Sequence, residues 1–203
     1  MKVTVLGASG RVGSEIVKEL ARRGHQVTGV ARQPDRVPAA PGVVAVAGDV
    51  NQPATLVPAL TGADAAISAI MFVDSDPGLL IQAIKDAGVP RYLVVGGAGS
   101  LEVAPGRLLV DTPDFPEAYK AEALAGGRFL NALRAEPQLN WTFLSPSALF
   151  DGSERTGTFR LGGDALLIDD QGNSRISFPD YAIAMADEVE TPTHARARFT
   201  VGY

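Results

Sequence analysis

The chain has 203 residues, of which 46% are hydrophobic and 20% charged, and this fits one folded domain and excludes a largely disordered chain. Its formal net charge is −5 at pH 7 and it has no basic stripe or tail, so we expect no nucleic-acid partner. The lack of cysteine excludes disulfides, thiolate metal sites and a cysteine nucleophile, and no apolar stretch approaches the roughly 20 residues that span a bilayer.

The beginning of the chain predicts a strand, a helix and a second strand. Residues 3–6 form a short apolar run that ends at a glycine, which is typical of a buried strand. Residues 11–23 repeat apolar side chains at helical spacing, with charged residues on the opposite face. Residues 26–31 predict the second strand, so this part of the chain forms one βαβ unit.

Strands and helices continue to alternate along the chain. Further strands are predicted at residues 43–47, 65–68, 91–95, 141–144 and 196–201, and further helices at residues 53–60, 78–86, 116–134 and 179–189. The alternation predicts an α/β fold, Rossmann-like and doubly wound, with a mostly parallel sheet. We expect residues 1–203 to form a single domain, in which about residues 146–203 add a small C-terminal cap at the carboxyl edge of the sheet.

The turn between the first strand and the first helix carries the strongest functional signal. Its three glycines suit a tight turn, close approach of the backbone to a pyrophosphate, and close packing of the helix on the strand. The helix N-terminus adds unpaired N–H groups and a positive dipole end. We therefore expect a dinucleotide to contact Gly7, Ser9, Gly10, Arg11, Val12 and Gly13.

The end of the second strand indicates which dinucleotide is preferred. An NAD site usually has an acidic residue there for the ribose 2′-hydroxyl, but this strand is followed by Arg32. Arg32 and Arg11 could together bind a 2′-phosphate through their guanidinium groups. The sequence therefore favours NADPH, with NADH as a possible cofactor, and the alternative is that both are ordinary surface arginines.

Residues after the next three strands are the remaining candidates for cofactor contacts. A carboxylate after the third strand could accept a hydrogen bond from the adenine amino group, or could instead cap the following helix. Backbone after the fourth strand could line the nicotinamide ribose, and small residues after the fifth leave a flat floor. These candidates are Asp49, Val50, Ser68, Ala69, Ile70, Gly96 and Gly97.

Several segments together resemble a known protein group. They are GASGRVG at 7–13, GDV at 48–50, VVGGAGSL at 94–101, WTFLSPS at 141–147 and RISFPDYAIAMADEVE at 175–190. In these segments the chain resembles the atypical short-chain dehydrogenases/reductases, and within them the NADH-flavin reductase group, which is related to biliverdin reductase B and the NmrA-like proteins. The resemblance implies a Rossmann fold, NAD(P)H binding and reduction of flavins or quinone-like acceptors. It also implies that the Ser100 hydroxyl lies near the nicotinamide.

The chain lacks the proton relay of typical dehydrogenases in the wider superfamily. That relay is Tyr-x-x-x-Lys, in which the lysine lowers the tyrosine pKa, and no tyrosine here has a lysine four residues later. Tyr119 and Lys120 are adjacent, so on a helix their side chains point about 100° apart. This absence lowers the odds of an alcohol dehydrogenase, an epimerase or a dehydratase.

Reduction of a flavin or quinone requires less from the protein, because hydride transfer is the cofactor's chemistry and water can supply the proton. Phe72, Phe115 and Phe150 follow strand ends and could wall an aromatic acceptor, or they could be packing residues. Ser100 is the candidate for orienting the carboxamide or the acceptor, with a capping serine as the alternative. Tyr119 is a weaker candidate for a proton donor.

We therefore predict an NAD(P)H-dependent reductase that takes flavin as a substrate and not as a tightly bound cofactor. One alternative is a non-catalytic NADP(H)-binding sensor, and a third interpretation is an epimerase or dehydratase. We expect a cytoplasmic monomer or homodimer with a small-molecule acceptor, no membrane partner and no metal. His25 and His194 are far apart in sequence, and His25 is predicted to lie in a solvated turn.

Overall fold

An eight-stranded sheet forms the centre of the computed structural model, which describes residues 1–203. The strands of the chain are β1 (Lys2–Leu6), β2 (Gln26–Ala31), β3 (Val43–Ala47), β4 (Ala65–Ser68), β5 (Tyr92–Val95), β6 (Glu102–Ala104), β7 (Arg107–Leu108), β8 (Trp141–Ser145), β9 (Leu149–Asp151), β10 (Arg160–Gly162), β11 (Arg175–Ser177) and β12 (Ala197–Gly202). The order in the main sheet is β3-β2-β1-β4-β5-β8-β12-β10, and only β10 runs antiparallel to its neighbour. This is a Rossmann-like α/β fold.

Five helices cover both faces of this sheet. They are α1 (Arg11–Arg22), α2 (Pro53–Leu60), α3 (Pro77–Asp86), α4 (Glu117–Arg134) and α5 (Phe178–Glu190). Apolar residues of α1 and α5 join one buried cluster, and those of α2, α3 and α4 join another on the opposite face. The central strands are therefore buried on both sides, which explains their continuous apolar runs.

Two small sheets lie outside the main one. Strands β6 and β7 form an antiparallel hairpin, and β9 pairs in parallel with β11. Neither pair was predicted, because these segments are only two or three residues long and show no hydrophobic alternation. Within the region expected to form the cap, α5 packs on α1 and β12 pairs with β8, so these two elements extend the main layers.

The predicted elements of the main fold are confirmed, with small shifts at their ends. Helix α4 runs unbroken through Gly126 and Gly127, although two glycines weaken a helix. A Cβ atom on Gly126 would lie 2.9 Å from the Phe72 ring. Packing of this aromatic ring against the helix backbone therefore requires glycine at that position.

The prediction that His25 lies in a solvated turn is wrong. The side chain is only 7% exposed, its Nε2 lies 2.8 Å from the Glu190 carboxylate, and its Nδ1 lies 3.3 Å from the N-terminal nitrogen of Met1. Glu190 is the last residue of α5, which packs on α1. The partner is 165 residues away along the chain, so the local sequence contains no signal of it.

A buried ion pair connects the residue before β5 to α5. The Arg91 guanidinium donates to the Glu188 carboxylate at 2.6 Å and to the Thr142 hydroxyl. Both charged side chains are almost completely buried. Burial alone would raise the Glu188 pKa, but hydrogen bonds from His194 and Thr193 outweigh it and hold the pKa below its usual value. Glu188 is therefore a charged carboxylate buried inside the protein.

None of the five helices combines the length and the apolar character that crossing a membrane requires.

Candidate functional site

The strand order reverses between β1 and β4, and the candidate site lies at the carboxyl ends of these strands. β1 continues to β2 and β3 on one side, while β4 continues to β5 and β8 on the other. In such sheets, ligands bind in the crevice at this reversal. The Ala69 amide donates to the Leu6 carbonyl at 2.9 Å, which holds the segment after β4 beside the glycine turn.

The glycines of the turn are required by close backbone contacts. Gly7 has φ +82°, and a Cβ atom there would lie 2.5 Å from the Ala69 carbonyl oxygen. A Cβ on Gly13 would lie 2.2 Å from the Gly7 carbonyl oxygen, so this glycine lets the helix sit against the turn. A Cβ on Gly10 would meet only the Gly7 oxygen, at 3.2 Å. The outer side of Gly10 is therefore open to a ligand.

The N-terminus of α1 is left without a protein partner. Its N-cap residue is Gly10, no side chain caps the helix, and its first turn contains no acidic residue. The first amides of a helix have no acceptor within the helix. These amides and the positive end of the helix dipole can therefore receive an anion such as a pyrophosphate.

A large cavity of about 1150 Å³ opens beside this turn. Ligand pockets usually measure roughly 300–1,000 Å³, so it has room for a nicotinamide and a second ring system. Its lining comes from the turn, the segments after β4, β5 and β8, the segment 109–123, and the loop and strand 169–178. One continuous stretch of the lining lies at and just after the end of β5 and consists of Val95, Gly96, Gly97, Ala98 and Gly99.

Aromatic rings form much of the cavity wall. Phe72, Phe115 and Phe150, the three candidates from the sequence, all line it. Phe72 stacks on Phe143 with ring centroids 5.9 Å apart, and Phe150 meets Phe178 edge to face at 4.7 Å. The Phe72 and Phe150 rings are therefore held by packing and also present apolar surface to the cavity.

The structure brings one group of the predicted site residues together around the cavity: Arg11, Val12, Ile70, Gly96, Gly97 and Tyr119. A second group does not line the cavity and lies in the glycine turn or at the carboxyl ends of β2, β3 and β4: Gly7, Ser9, Gly10, Gly13, Arg32, Asp49, Val50, Ser68 and Ala69. The two groups meet at the reversal of strand order. A dinucleotide placed across the turn would reach both groups.

The two arginines predicted for the 2′-phosphate have different surroundings. Arg32 is exposed after β2, and its side chain makes no hydrogen bond or ion pair within the chain. Arg11 lies over the Phe178 ring, with its guanidinium carbon 5.8 Å from the ring centroid, and lines the cavity. Because Arg32 directly follows β2 and its side chain has no partner, it is the better placed of the two arginines for a group at the end of β2.

The candidate after β3, Asp49, accepts the Asn51 amide at 3.0 Å, so one of its carboxylate oxygens is used in a local turn.

The two candidate catalytic residues also differ in their placement. Ser100 does not line the cavity, and its hydroxyl lies 3.4 Å from an Nη atom of Arg198. Tyr119 lines the cavity from α4 and is 66% exposed. The neighbouring Lys120 lies 3.6 Å from Glu117, so it forms an ion pair on the helix surface.

Sequence reasoning missed Glu122, which lines the cavity from α4. Its two carboxylate oxygens accept the amides of Phe72 and Val73 at 2.7 and 2.9 Å. Glu122 therefore fastens the segment after β4 to α4 and fixes the position of the Phe72 ring. The contact spans 50 residues of sequence, and an isolated glutamate on a helix carries no signal of it.

Sequence reasoning also missed Tyr203, which lines the cavity and is held by a buried carboxylate. Its hydroxyl donates to Asp180 at 2.7 Å, and Asp180 also accepts hydrogen bonds from Thr156 and Gly157. Burial raises the pKa of the Tyr203 phenol. Burial would also raise the Asp180 pKa, but these hydrogen bonds outweigh it and lower the pKa. Tyr203 is therefore a neutral phenol that is held in place by the charged Asp180 carboxylate.

The chain contains no group of three or more His, Asp or Glu side chains arranged to hold a metal ion.

Comparisons with known proteins agree with this geometry. Residues 7–192 match a family described as NAD(P)H-binding. The chain is 40% identical to the protein YwnB of Bacillus subtilis, over 99% of this chain and 98% of that one. It is similar to a solved structure named a “putative epimerase” from Bacteroides thetaiotaomicron, with 41% identity, TM-score 0.93, and coverage of 100% and 96%. It is also similar to a “putative NADH-flavin reductase” from Streptococcus pneumoniae, with 37% identity, TM-score 0.85, and coverage of 100% and 99%.

Proposed function

The chain belongs to the NAD(P)H-binding family, and from that premise we propose that it is an NADPH-dependent reductase of a flavin or quinone-like acceptor. The observation that carries the proposal is the cavity beside the glycine turn, which has a floor of small residues and walls of phenylalanine. Such a cavity suits a flat aromatic acceptor stacked on a nicotinamide.

The residues of the turn fit a dinucleotide. Gly10 leaves its outer side open, and the uncapped helix N-terminus offers amides to a pyrophosphate. When bound, the reduced nicotinamide would supply a hydride to the acceptor and become oxidised, and the acceptor would take one proton from water. Gly97, where an added Cβ would meet only the Phe72 ring at 3.8 Å, leaves room for the ring, and Ile70 and Phe72 would shield it from water.

The protein's contribution is to hold the two rings in contact and exclude water. Glu122 fixes Phe72 through two backbone amides, so one wall of the cavity is rigid. Tyr119 is close enough to the cavity to donate a hydrogen bond to an acceptor, but its exposure leaves it in competition with water. Proton delivery from solvent accounts for the chemistry without a dedicated acid.

An epimerase or alcohol dehydrogenase is less well supported. The relay that such enzymes use needs a lysine beside the tyrosine on the same helix face, and Lys120 instead pairs with Glu117. A non-catalytic NADP(H) sensor would use the same turn, but it gives no reason for a large aromatic-walled cavity beside it.

Turnover with defined acceptors tests the proposal. We expect purified protein to oxidise NADPH when FMN, riboflavin or a small quinone is present, and to oxidise it slowly without an acceptor. The absorbance of NADPH measures the rate. Tight NADPH binding with no turnover across this panel would contradict a reductase and favour the sensor.

The choice of NADPH over NADH depends on Arg32 in this proposal. Arg32→Ala is expected to weaken NADPH binding by roughly tenfold to 100-fold, because a charge-assisted contact to the 2′-phosphate is lost. NADH binding should stay unchanged. Titration calorimetry with both coenzymes measures the two affinities.

Arg36→Ala is the matched control, because Arg36 is a nearby exposed arginine whose guanidinium contacts the Gln33 side chain at 3.2 Å. We expect it to leave both affinities unchanged. If both variants weakened NADPH binding equally, the effect would be one of general charge, and Arg32 would have no specific role.

A further inference from the structure

We propose that the acceptor carries an anionic group, a phosphate or carboxylate, and that Arg175 and Ser174 bind it where the start of β11 lines the cavity. This rests on the proposed function and adds the class of acceptor.

Arg175 and Ser174 are held at the cavity by backbone structure. Arg175 begins β11, which pairs with β9 at Leu149, and its carbonyl accepts the Tyr203 amide at 3.0 Å. The Ser174 carbonyl accepts the Leu149 amide at 2.9 Å. These side chains therefore project from a fixed framework, as a binding site requires.

Both side chains have donors that the protein does not use. Arg175 has a single ionic contact, from Nε to Asp151 at 3.3 Å, and its two Nη atoms have no partner within the chain. The Ser174 hydroxyl accepts the Ala148 amide at 3.1 Å, and its own proton has no acceptor within the chain. A planar guanidinium beside a hydroxyl is a donor set that matches a phosphate or carboxylate.

The carboxylates of Asp151 and Asp169 already accept hydrogen bonds from other donors. Asp151 accepts the Ser153 amide at 2.9 Å. Asp169 accepts the amides of Gln171 and Asn173, at 2.9 and 2.8 Å, and also the Asn173 side chain. Their negative charge is partly compensated by these donors, so the uncommitted donors of Arg175 and Ser174 remain available to an anion.

The remaining acids that line the cavity belong to a different segment of the chain. Glu122 is on α4 and both its oxygens accept backbone amides, while Asp114 precedes Phe115 on the segment leading to that helix. An acceptor with its ring between the aromatic walls and its anionic tail toward β11 would have its charge near Arg175.

FMN and riboflavin are the probe pair, because they share one ring system and differ by a terminal phosphate. We expect FMN to bind at least tenfold more tightly than riboflavin in the presence of NADP⁺, measured by quenching of flavin fluorescence. Arg175→Gln should remove this difference by raising the dissociation constant and the KM of FMN about tenfold. It should leave the dissociation constant of riboflavin, the kcat and the NADPH affinity unchanged.

Arg128→Gln is the control, because Arg128 is an exposed arginine on α4 that does not line the cavity. It should preserve the preference for FMN. Equal binding of the two flavins, equal weakening of both by Arg175→Gln, or weaker NADPH binding in that variant would each overturn the inference. Absence of turnover with either flavin would instead contradict the proposed function, while the binding titration still decides the role of Arg175.

Discussion

Replacing Gly10 with aspartate is expected to weaken NADPH binding about 100-fold, a loss of roughly 2.7 kcal/mol, while the protein stays folded. Gly10 is the N-cap of α1 and has φ −74° and ψ 167°, a backbone conformation that aspartate adopts readily. An aspartate there would accept the free amides of the first helical turn. It would thus occupy the donors of the proposed pyrophosphate site and add a repelling charge.

Gly10→Asn separates these two effects. Asparagine caps a helix about as well as aspartate but carries no charge, so we expect a loss of only about tenfold in NADPH affinity. Both variants should unfold within about 1 kcal/mol of the wild type, because a new cap offsets the tight 3.2 Å contact of the added Cβ with the Gly7 oxygen. Titration calorimetry measures the NADPH affinity, and chemical denaturation measures the free energy of unfolding. Unaltered NADPH affinity in Gly10→Asp would mean that the dinucleotide does not lie on this turn.

Replacing Glu188 with alanine is expected to lower the free energy of unfolding by about 3–5 kcal/mol, because it leaves the Arg91 charge buried without its partner. The Glu188 side chain is 3% exposed and receives hydrogen bonds from Arg91, Thr193 and His194. A typical domain is stable by only about 5–15 kcal/mol, so the loss should be visible as a large shift of the denaturation midpoint.

Glu117→Ala is the control for the Glu188 variant. Glu117 also pairs with a basic residue, Lys120, but at 3.6 Å and on the surface. Exposed pairs of this kind contribute about 0–1 kcal/mol, so its denaturation midpoint should barely move. Similar losses in the two variants would show that the buried pair has no special weight in stability.

The glycine turn and the alternation of elements were predictable because both depend on local sequence. The run of apolar residues in β1, the helical spacing in α1 and the glycines between them lie within a short stretch of chain. Each pattern reports how its own segment is buried and how its backbone must turn. The main sheet and its helices follow from repeating this pattern along the chain.

The phenylalanines that wall the cavity were predictable only as candidates. Their position after strand ends placed Phe72, Phe115 and Phe150 at the correct edge of the sheet, since the carboxyl ends of parallel strands share an edge. Which of them would face a cavity depended on the packing of α4 and of the segment 169–178.

The amino-acid sequence by itself determined the Rossmann-like fold, the dinucleotide turn and the missing Tyr-x-x-x-Lys relay, because each is a matter of nearby residue types and spacing. The tertiary structure alone decided that Glu122 holds the Phe72 segment, that His25 is buried against Glu190, and that Arg175 has unused donors at the cavity. The Glu122 side chain accepts a backbone amide 50 residues away, and the His25 contact joins two side chains 165 residues apart. The surroundings of Arg175 combine β9, β11 and Tyr203. Burial and hydrogen-bond partners across such separations arise from the packing of whole elements, which no local pattern encodes.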